Sequence, residues 1–321
     1  MGGWGTNVGV SILDCEVSSV KGSYTTGIGG GGRQIVLRNN RIYFPTVTDW
    51  SRTFQGIHMT GSDCLIEGNM CEGGTVGFYT DTLSMTNITI VNNVFRNSAN
   101  GVVVTLSQGH SWNLDNVSVL NNKIELNPNM PGSWTAGISF TPADTTGADS
   151  YRNIMVAGNT VRYLGGVTNG TQGNLKAIQF SSSTPTTLTN IFNVSVVNNT
   201  LERTHSMDFW CKGTYLSGNV DFQGVPLEAR TIDSASPNSV SLNPLDRVIQ
   251  VTKTTATTVA LPPAYGFKGK EVVLVNAQAT ATVTVVAIAG EQILPSSSYN
   301  VAPYATARFV ADGASKWIKN P

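Results

Sequence analysis

Apolar and polar positions alternate in short runs along most of the chain, and one eight-residue pattern keeps returning. It consists of strand-like alternation, two small polar residues, then alternation again. It reads IVLRNNRI at 35–42, CLIEGNMC at 64–71, ITIVNNVF at 88–95, VSVLNNKI at 117–124, IMVAGNTV at 154–161, VSVVNNTL at 194–201 and TYLSGNVD at 214–221, with VSILDCEV at 10–17 a degenerate first copy. The second small residue forms an anchor column: Cys15, Asn40, Asn69, Asn93, Asn122, Asn159, Asn199 and Asn219. Three residues before the anchors stand Ile12, Leu37, Ile66, Ile90, Val119, Val156, Val196 and Leu216; two after them stand Val17, Ile42, Cys71, Phe95, Ile124, Val161 and Leu201. Alternation on both sides of a bend places two short strands against a common interior. A further apolar motif between anchors, GIHM at 56–59, GVVV at 101–104, GISF at 137–140, AIQF at 177–180 and SMDF at 206–209, supplies a third strand per repeat.

Three short strands per repeat, stacked at roughly 4.8 Å per coil, predict a parallel β-helix. The anchor asparagine is expected to take the left-handed conformation of the bend and to join its side-chain amide to those above and below in a ladder. A leucine-rich repeat would need a fixed period and a leucine spacing that are absent. The run Gly29–Gly32 precedes a strand rather than a helix, which reads as a flexible bend and not as a phosphate cradle.

The repeat resembles the right-handed parallel β-helix of the pectate lyase-like superfamily over about 10–224, so residues 1–224 are assigned to that domain. Residues 225–245, rich in Pro, Ser and Asn, read as a connector. Short alternating segments in 246–321 (VIQVT, TVALP, EVVLVNA, ATVTVVAI and ARFVADG) predict a small antiparallel β-sandwich. Leu261-Pro262, Gly269-Lys270, Gly290-Glu291, Asp312-Gly313 and Trp317 make this segment resemble the small β domain that closes many bacteriophage tail fibres and tailspikes. The fold class expected is therefore all-β. The resemblance implies the C-terminal part of a tailspike: a homotrimeric virion protein, extracellular when it acts, that binds and often cleaves a bacterial capsule or lipopolysaccharide.

Composition narrows the alternatives. The 321 residues carry 20 basic and 20 acidic side chains, a formal net charge of zero, which gives no pull toward nucleic acid or an anionic membrane. Hydrophobic residues at 40% suffice for a core, while no apolar run reaches the ~18 residues of a membrane span. The start, already in repeat phase by Val10 and without a signal peptide, leads us to expect a fragment. Cys15, Cys64, Cys71 and Cys211 lack metal-type spacing and read as buried free thiols. The Asn-X-Ser/Thr matches at Asn87, Asn116 and Asn193 fall inside the repeat and read as accidental. No cofactor or metal is implied; nucleophile-elbow, Walker and zinc patterns are absent.

Outward columns carry the functional expectations. Val36, Leu65 and Met155, with Leu13, Val91, Leu120, Ala157 and Val197, make an apolar face whose only charges are Arg38 and Glu67. Such a face is expected to pack on identical subunits around a threefold axis. Three residues after the anchors, Glu72, Arg96, Glu125, Arg162 and Glu202 alternate in sign, as in a charge ladder that fixes stacking register. His58, Val103, Ser139, Gln179 and Asp208, with Trp210 one step on, form a mixed strip suited to sugar contact. The excursions 43–55, 107–116, 126–135 and 141–153 add Trp50, Trp112 and Trp134, whose flat faces suit pyranose rings.

Glycoside hydrolysis needs two carboxylates ~5–5.5 Å or ~6.5–9.5 Å apart. The candidate acids are Asp208, Asp115, Asp144 and Asp81, with Trp50, Trp112, Trp134, Trp210, His58 and Gln179 as substrate contacts. Three histidines and no calcium-type acid cluster suit a lyase less well. Two alternatives remain beside the tailspike reading: a secreted bacterial polysaccharide lyase or hydrolase, and a non-catalytic trimerising shaft.

Overall fold

The computed structural model describes residues 7–18, 24–44, 53–80, 84–105, 113–127, 135–141, 150–164, 175–180, 191–201, 206–209, 214–220, 229–234, 236–242, 246–264, 268–288 and 290–320. The described chain is all-β, without a helix. It divides into two compact units, Met1–Cys211 with Tyr215–Gly218, and Lys212–Thr214 with Asn219–Pro321.

In the first unit the strands deal themselves in rotation into three sheets. The first sheet stacks Asn7–Val8, Tyr24–Arg33, Thr53–Ser62, Val76–Thr80, Asn100–Thr105, Thr135–Thr141, Leu175–Phe180 and Ser206–Phe209. The second stacks Ser11–Leu13, Val36–Arg38, Cys64–Glu67, Met85–Val91, Asn113–Leu120, Ser150–Ala157, Ile191–Val197 and Thr214–Ser217. The third stacks Glu16–Val17, Arg41–Tyr43, Met70–Glu72, Val94–Ser98, Lys123–Leu126, Thr160–Tyr163 and Thr200–Leu201. Pairings such as Ile90↔Val119, Val119↔Val156 and Val156↔Val196 are parallel, in the register the repeat alignment requires. These stacked parallel sheets are compatible with a β-helix. Within them Leu37, Ile66, Ile90, Val119, Val156 and Val196 are buried, as are Ile42, Cys71, Phe95, Ile124, Val161 and Leu201.

The anchors build a ladder, but not with the backbone expected. The left-handed residue is the one before the anchor: Asp14, Asn39, Gly68, Asn92, Asn121, Gly158, Asn198 and Gly218 all have positive φ. Turning the chain one residue early aims the anchor side chain inward, where Asn40, Asn69, Asn93, Asn122, Asn159 and Asn199 are buried. From Asn40 to Asn159 each Nδ2 donates to the next anchor's Oδ1, as from Asn40 to Asn69 at 2.9 Å and Asn93 to Asn122 at 2.9 Å. That Oδ1 also accepts the preceding anchor's backbone N–H, as from Asn69 to Asn93 at 2.9 Å.

A second ladder lies six residues before the anchors. Gln34, Asp63, Asn87, Asn116, Asn153 and Asn193 share a positive φ there. Asn87 donates to Asp63 at 2.7 Å, Asn116 to Asn87 at 2.9 Å and Asn193 to Asn153 at 2.6 Å, while Asn153 turns to Asp115 at 2.7 Å. The Asn-X-Ser/Thr matches thus belong to an exposed amide column.

Two other expectations change, those on the glycine run and on Cys15. Gly29–Gly32 is no bend: it lies in the strand Tyr24–Arg33, in register with His58–Gly61 of the next coil, because the backbone alone supplies a ladder's hydrogen bonds. Cys64 and Cys71 are buried and free, and burial raises both thiol pKa values; at Cys64 a backbone hydrogen bond at Ile35 works against this and the charge of Asp63 with it. Cys15, in the terminal coil where nothing described stacks below it, is exposed; Cys211 lies outside the described residues.

The second unit is a pair of mixed sheets rather than an antiparallel sandwich. Ala229–Ile232, Val248–Val251 and Glu271–Asn276 run parallel in one sheet; Ser239–Ser241, Thr257–Ala260 and Val283–Val286 run parallel in the other. Thr306–Ala311 and Ser298–Val301 then add antiparallel, followed by Lys316–Asn320 and Gln292–Leu294 on the larger sheet. Two of these strands come from the stretch read as a connector, where Pro and Asn punctuate elements too short to show a period. The residues that carried the tail-fibre resemblance hold this unit together. Trp317 is buried and its Nε1 donates to Pro262 O at 3.0 Å. The Glu291 carboxylate accepts from Ala264 N at 2.8 Å, and the Asp312 carboxylate accepts the backbone N–H groups of Ala314 and Lys316 at 2.8 and 2.9 Å. Gly269, Gly290 and Gly313 all adopt positive φ.

Candidate functional site

Three outer faces of the first unit carry the candidate chemistry. On the first sheet, registry stacks Gly29, His58, Tyr79, Val103, Ser139, Gln179 and Asp208 in one column. Its lower end is open: Gly29 is exposed, and His58 and Tyr79 are half-buried in an edge-to-face pair with ring centroids 5.2 Å apart. Higher up the column closes, with Val103 at 2%, Ser139 at 0% and Gln179 at 8% exposure. Ser139 Oγ and Thr141 Oγ1 satisfy one another at 2.8 Å. The open sugar-contact strip expected from sequence is therefore confined to its lower end, because alternation reports which way a side chain points but not what lies over it. Tyr79 joins the column beyond the residues that the sequence reading names, although Gly77-Phe78-Tyr79 repeats the pattern of Gly56-Ile57-His58.

The candidate acids do not assemble among the described residues. Asp115 sits on the second sheet, where it accepts the Asn153 amide, while Asp208 belongs to a strand of the first sheet and its side chain lies outside the described residues. Asp81, Asp144, Trp50, Trp112, Trp134 and Trp210 lie outside them too, with most of the four excursions. No group of three or more His, Cys, Asp or Glu suited to a metal ion occurs among the described residues.

On the second sheet the outward columns are less apolar than the sequence selection implied. Ser11, Val36, Leu65, Thr89, Ser118, Met155 and Ser195 form one, Leu13, Arg38, Glu67, Val91, Leu120, Ala157 and Val197 the other. Hydroxyls interleave the aliphatics. Leu13 and Met155 are each 45% exposed, and the column's two charges cancel in an Arg38–Glu67 ion pair at 2.8 Å.

The third sheet holds the charge column, and its pairing is not one to one. Arg96, Lys123 and Arg162 converge on Glu125: Arg96 Nε lies 3.4 Å and Lys123 Nζ 3.1 Å from its carboxylate, and Arg162 donates to it. Glu72 is in register with Arg96 but forms no ion pair with it, and Glu202 lies outside the described residues. Glu125 is 2% exposed, which by itself would raise its pKa; the hydrogen bonds and charges of Lys123 and Arg162 outweigh that and hold it below the ordinary glutamate range. Folding thus weakens proton binding at Glu125. Its stabilisation is complete above the unfolded glutamate range, near pH ~4.3, and is lost as pH falls through the depressed folded value. Glu125→Gln is expected to cost about 1–3 kcal/mol at pH 7. Urea titrations of both proteins should converge as pH falls below the depressed folded value; a difference independent of pH would contradict this assignment.

Comparison with protein-family models, curated proteins and solved structures finds no match.

Proposed function

We propose that the chain is part of a homotrimeric, tailspike-like receptor-binding protein, a right-handed parallel β-helix that presents its outer faces to a bacterial surface polysaccharide. One observation carries the reading: the outer face of the second sheet combines half-exposed aliphatics with a self-neutralised Arg38–Glu67 pair. A parallel sheet of eight strands with such a surface suits burial against an identical neighbour. The tail-fibre-like motifs of the second unit support the same class of protein. Recognition of the polysaccharide is proposed together with its cleavage, although among the described residues the one candidate carboxylate, Asp115, is engaged by Asn153. That same observation keeps the non-catalytic shaft as the second reading. The location would be the virion, and the extracellular surface of the host during attachment.

Light scattering should give a mass of about three times 34.1 kDa, and the double variant Val91→Glu/Leu120→Glu, both on the outer face, should give the monomer. A monomeric parent protein overturns the trimer. Assay of reducing ends and of unsaturated uronate absorbance, after incubation with capsule and lipopolysaccharide preparations, separates hydrolase, lyase and shaft.

A further inference from the structure

We infer that Arg96, Lys123 and Arg162 form a binding site for carboxylate-bearing sugars, which makes acidic polysaccharides the ligand class of this protein. The inference rests on the polysaccharide reading above and deepens it. A ladder serving stacking register alone needs one cation per carboxylate. Among the described residues three cations meet one carboxylate, and the neighbouring acid of the column, Glu72, makes no ion pair with Arg96.

Donor arithmetic points the same way. Two guanidinium groups and an ammonium offer about 13 N–H donors, while a carboxylate offers about four acceptor positions. Glu125 is buried, whereas the side chains of Arg96, Lys123 and Arg162 are 49%, 54% and 45% exposed, so the surplus donors face outward. Glu125 stays ionised and pins the three cations from beneath, which removes much of the entropy cost of gathering flexible side chains around a ligand. Arg96 and Arg162 flank Glu125 one coil below and one coil above it. Two strand spacings separate them by roughly 9.5 Å, a span that lets one polymer chain meet both forks. Arginine's planar fork matches a carboxylate in two-point geometry.

The experiment uses the full chain on an array of purified acidic and neutral bacterial polysaccharides, with each acidic polymer also present after reduction of its carboxyls to alcohols. Wild-type protein should bind acidic members and lose at least about tenfold in affinity on their reduced forms. Arg96→Gln/Arg162→Gln should lose a similar factor on the acidic members only, with binding that weakens less steeply as salt is added. Equal binding to native and reduced polymers overturns this inference and leaves the polysaccharide reading standing. Absence of binding across the whole array overturns both. A thermal melt checks that the double variant folds; should it not, the reduced polymers on wild-type protein still decide the matter.

Discussion

Replacing Asn93 by leucine is expected to destabilise the protein by about 3–5 kcal/mol, close to the largest cost a single substitution produces. Asn93 is buried at the centre of the inner ladder, and its amide makes four hydrogen bonds. Nδ2 donates to Asn122 Oδ1 and Ile66 O, both at 2.9 Å; Oδ1 accepts from Asn69 N at 2.9 Å and from Asn69 Nδ2 at 3.0 Å. Leucine nearly keeps the volume, so the penalty is electrostatic: buried donors of Asn69 and acceptors at Ile66 and Asn122 lose partners that water cannot replace. Asn87→Gly is the matched control, because it removes an amide from the exposed ladder at a residue whose φ of 57° glycine tolerates. It should cost under about 1 kcal/mol, since water takes over the bonds. Urea unfolding of the two variants measures the difference. Equal losses would mean that burial does not separate the two ladders.

Gly101→Val should be as damaging for a steric reason, at more than about 3 kcal/mol, or should prevent folding. A Cβ at Gly101 would stand 2.5 Å from Gly137 O and 2.5 Å from Ile124 Cγ2, against backbone of the next coil and core of the third sheet. The same position is Gly56, Gly77 and Gly137 in other coils, each with a comparable collision, and Ala177 in one. A side-chain rotamer can relieve the contact with Ile124 but not that with a ladder carbonyl. Thermal melting followed by circular dichroism provides the readout, with Gly101→Ala expected between the parent and the valine variant. An unchanged midpoint in the valine variant would show that the sheets meet less closely here.

These two substitutions also mark what could be read in advance. The anchor asparagines and the glycine that opens GVVV and GISF were visible as columns, because a stacked coil repeats its side-chain environment and selection of residue type repeats with it. The sequence reading puts the left-handed step one residue late, since either member of an Asn-Asn or Gly-Asn pair can adopt positive φ and composition does not choose between them. The outer ladder at Asp63, Asn87, Asn116, Asn153 and Asn193 is equally periodic, but three of its members, Asn87, Asn116 and Asn193, read in sequence as chance glycosylation motifs, and only the contacts between side chains show the column.

The candidate site was less legible. His58 and Gln179 stand in one column as the repeat predicts, yet one is half-open and the other buried, a difference that alternation within a strand does not encode. The alternating signs of Arg96, Glu125 and Arg162 predicted a ladder of pairs; Lys123, two residues from Glu125 on the same face, turned it into a three-cation cluster.

Sequence alone determined the all-β class, the three-strand repeat, the interior columns and the motifs that lock the second unit, because period-two alternation and positive-φ residues are local signals. Tertiary structure alone decided that Ala229–Ile232 and Ser239–Ser241 are strands, that the second unit's sheets are mixed, and which outward residues meet solvent. Those outcomes depend on pairing and coverage between residues far apart in the chain, and alternation within one strand does not encode its neighbour's direction or what lies above it.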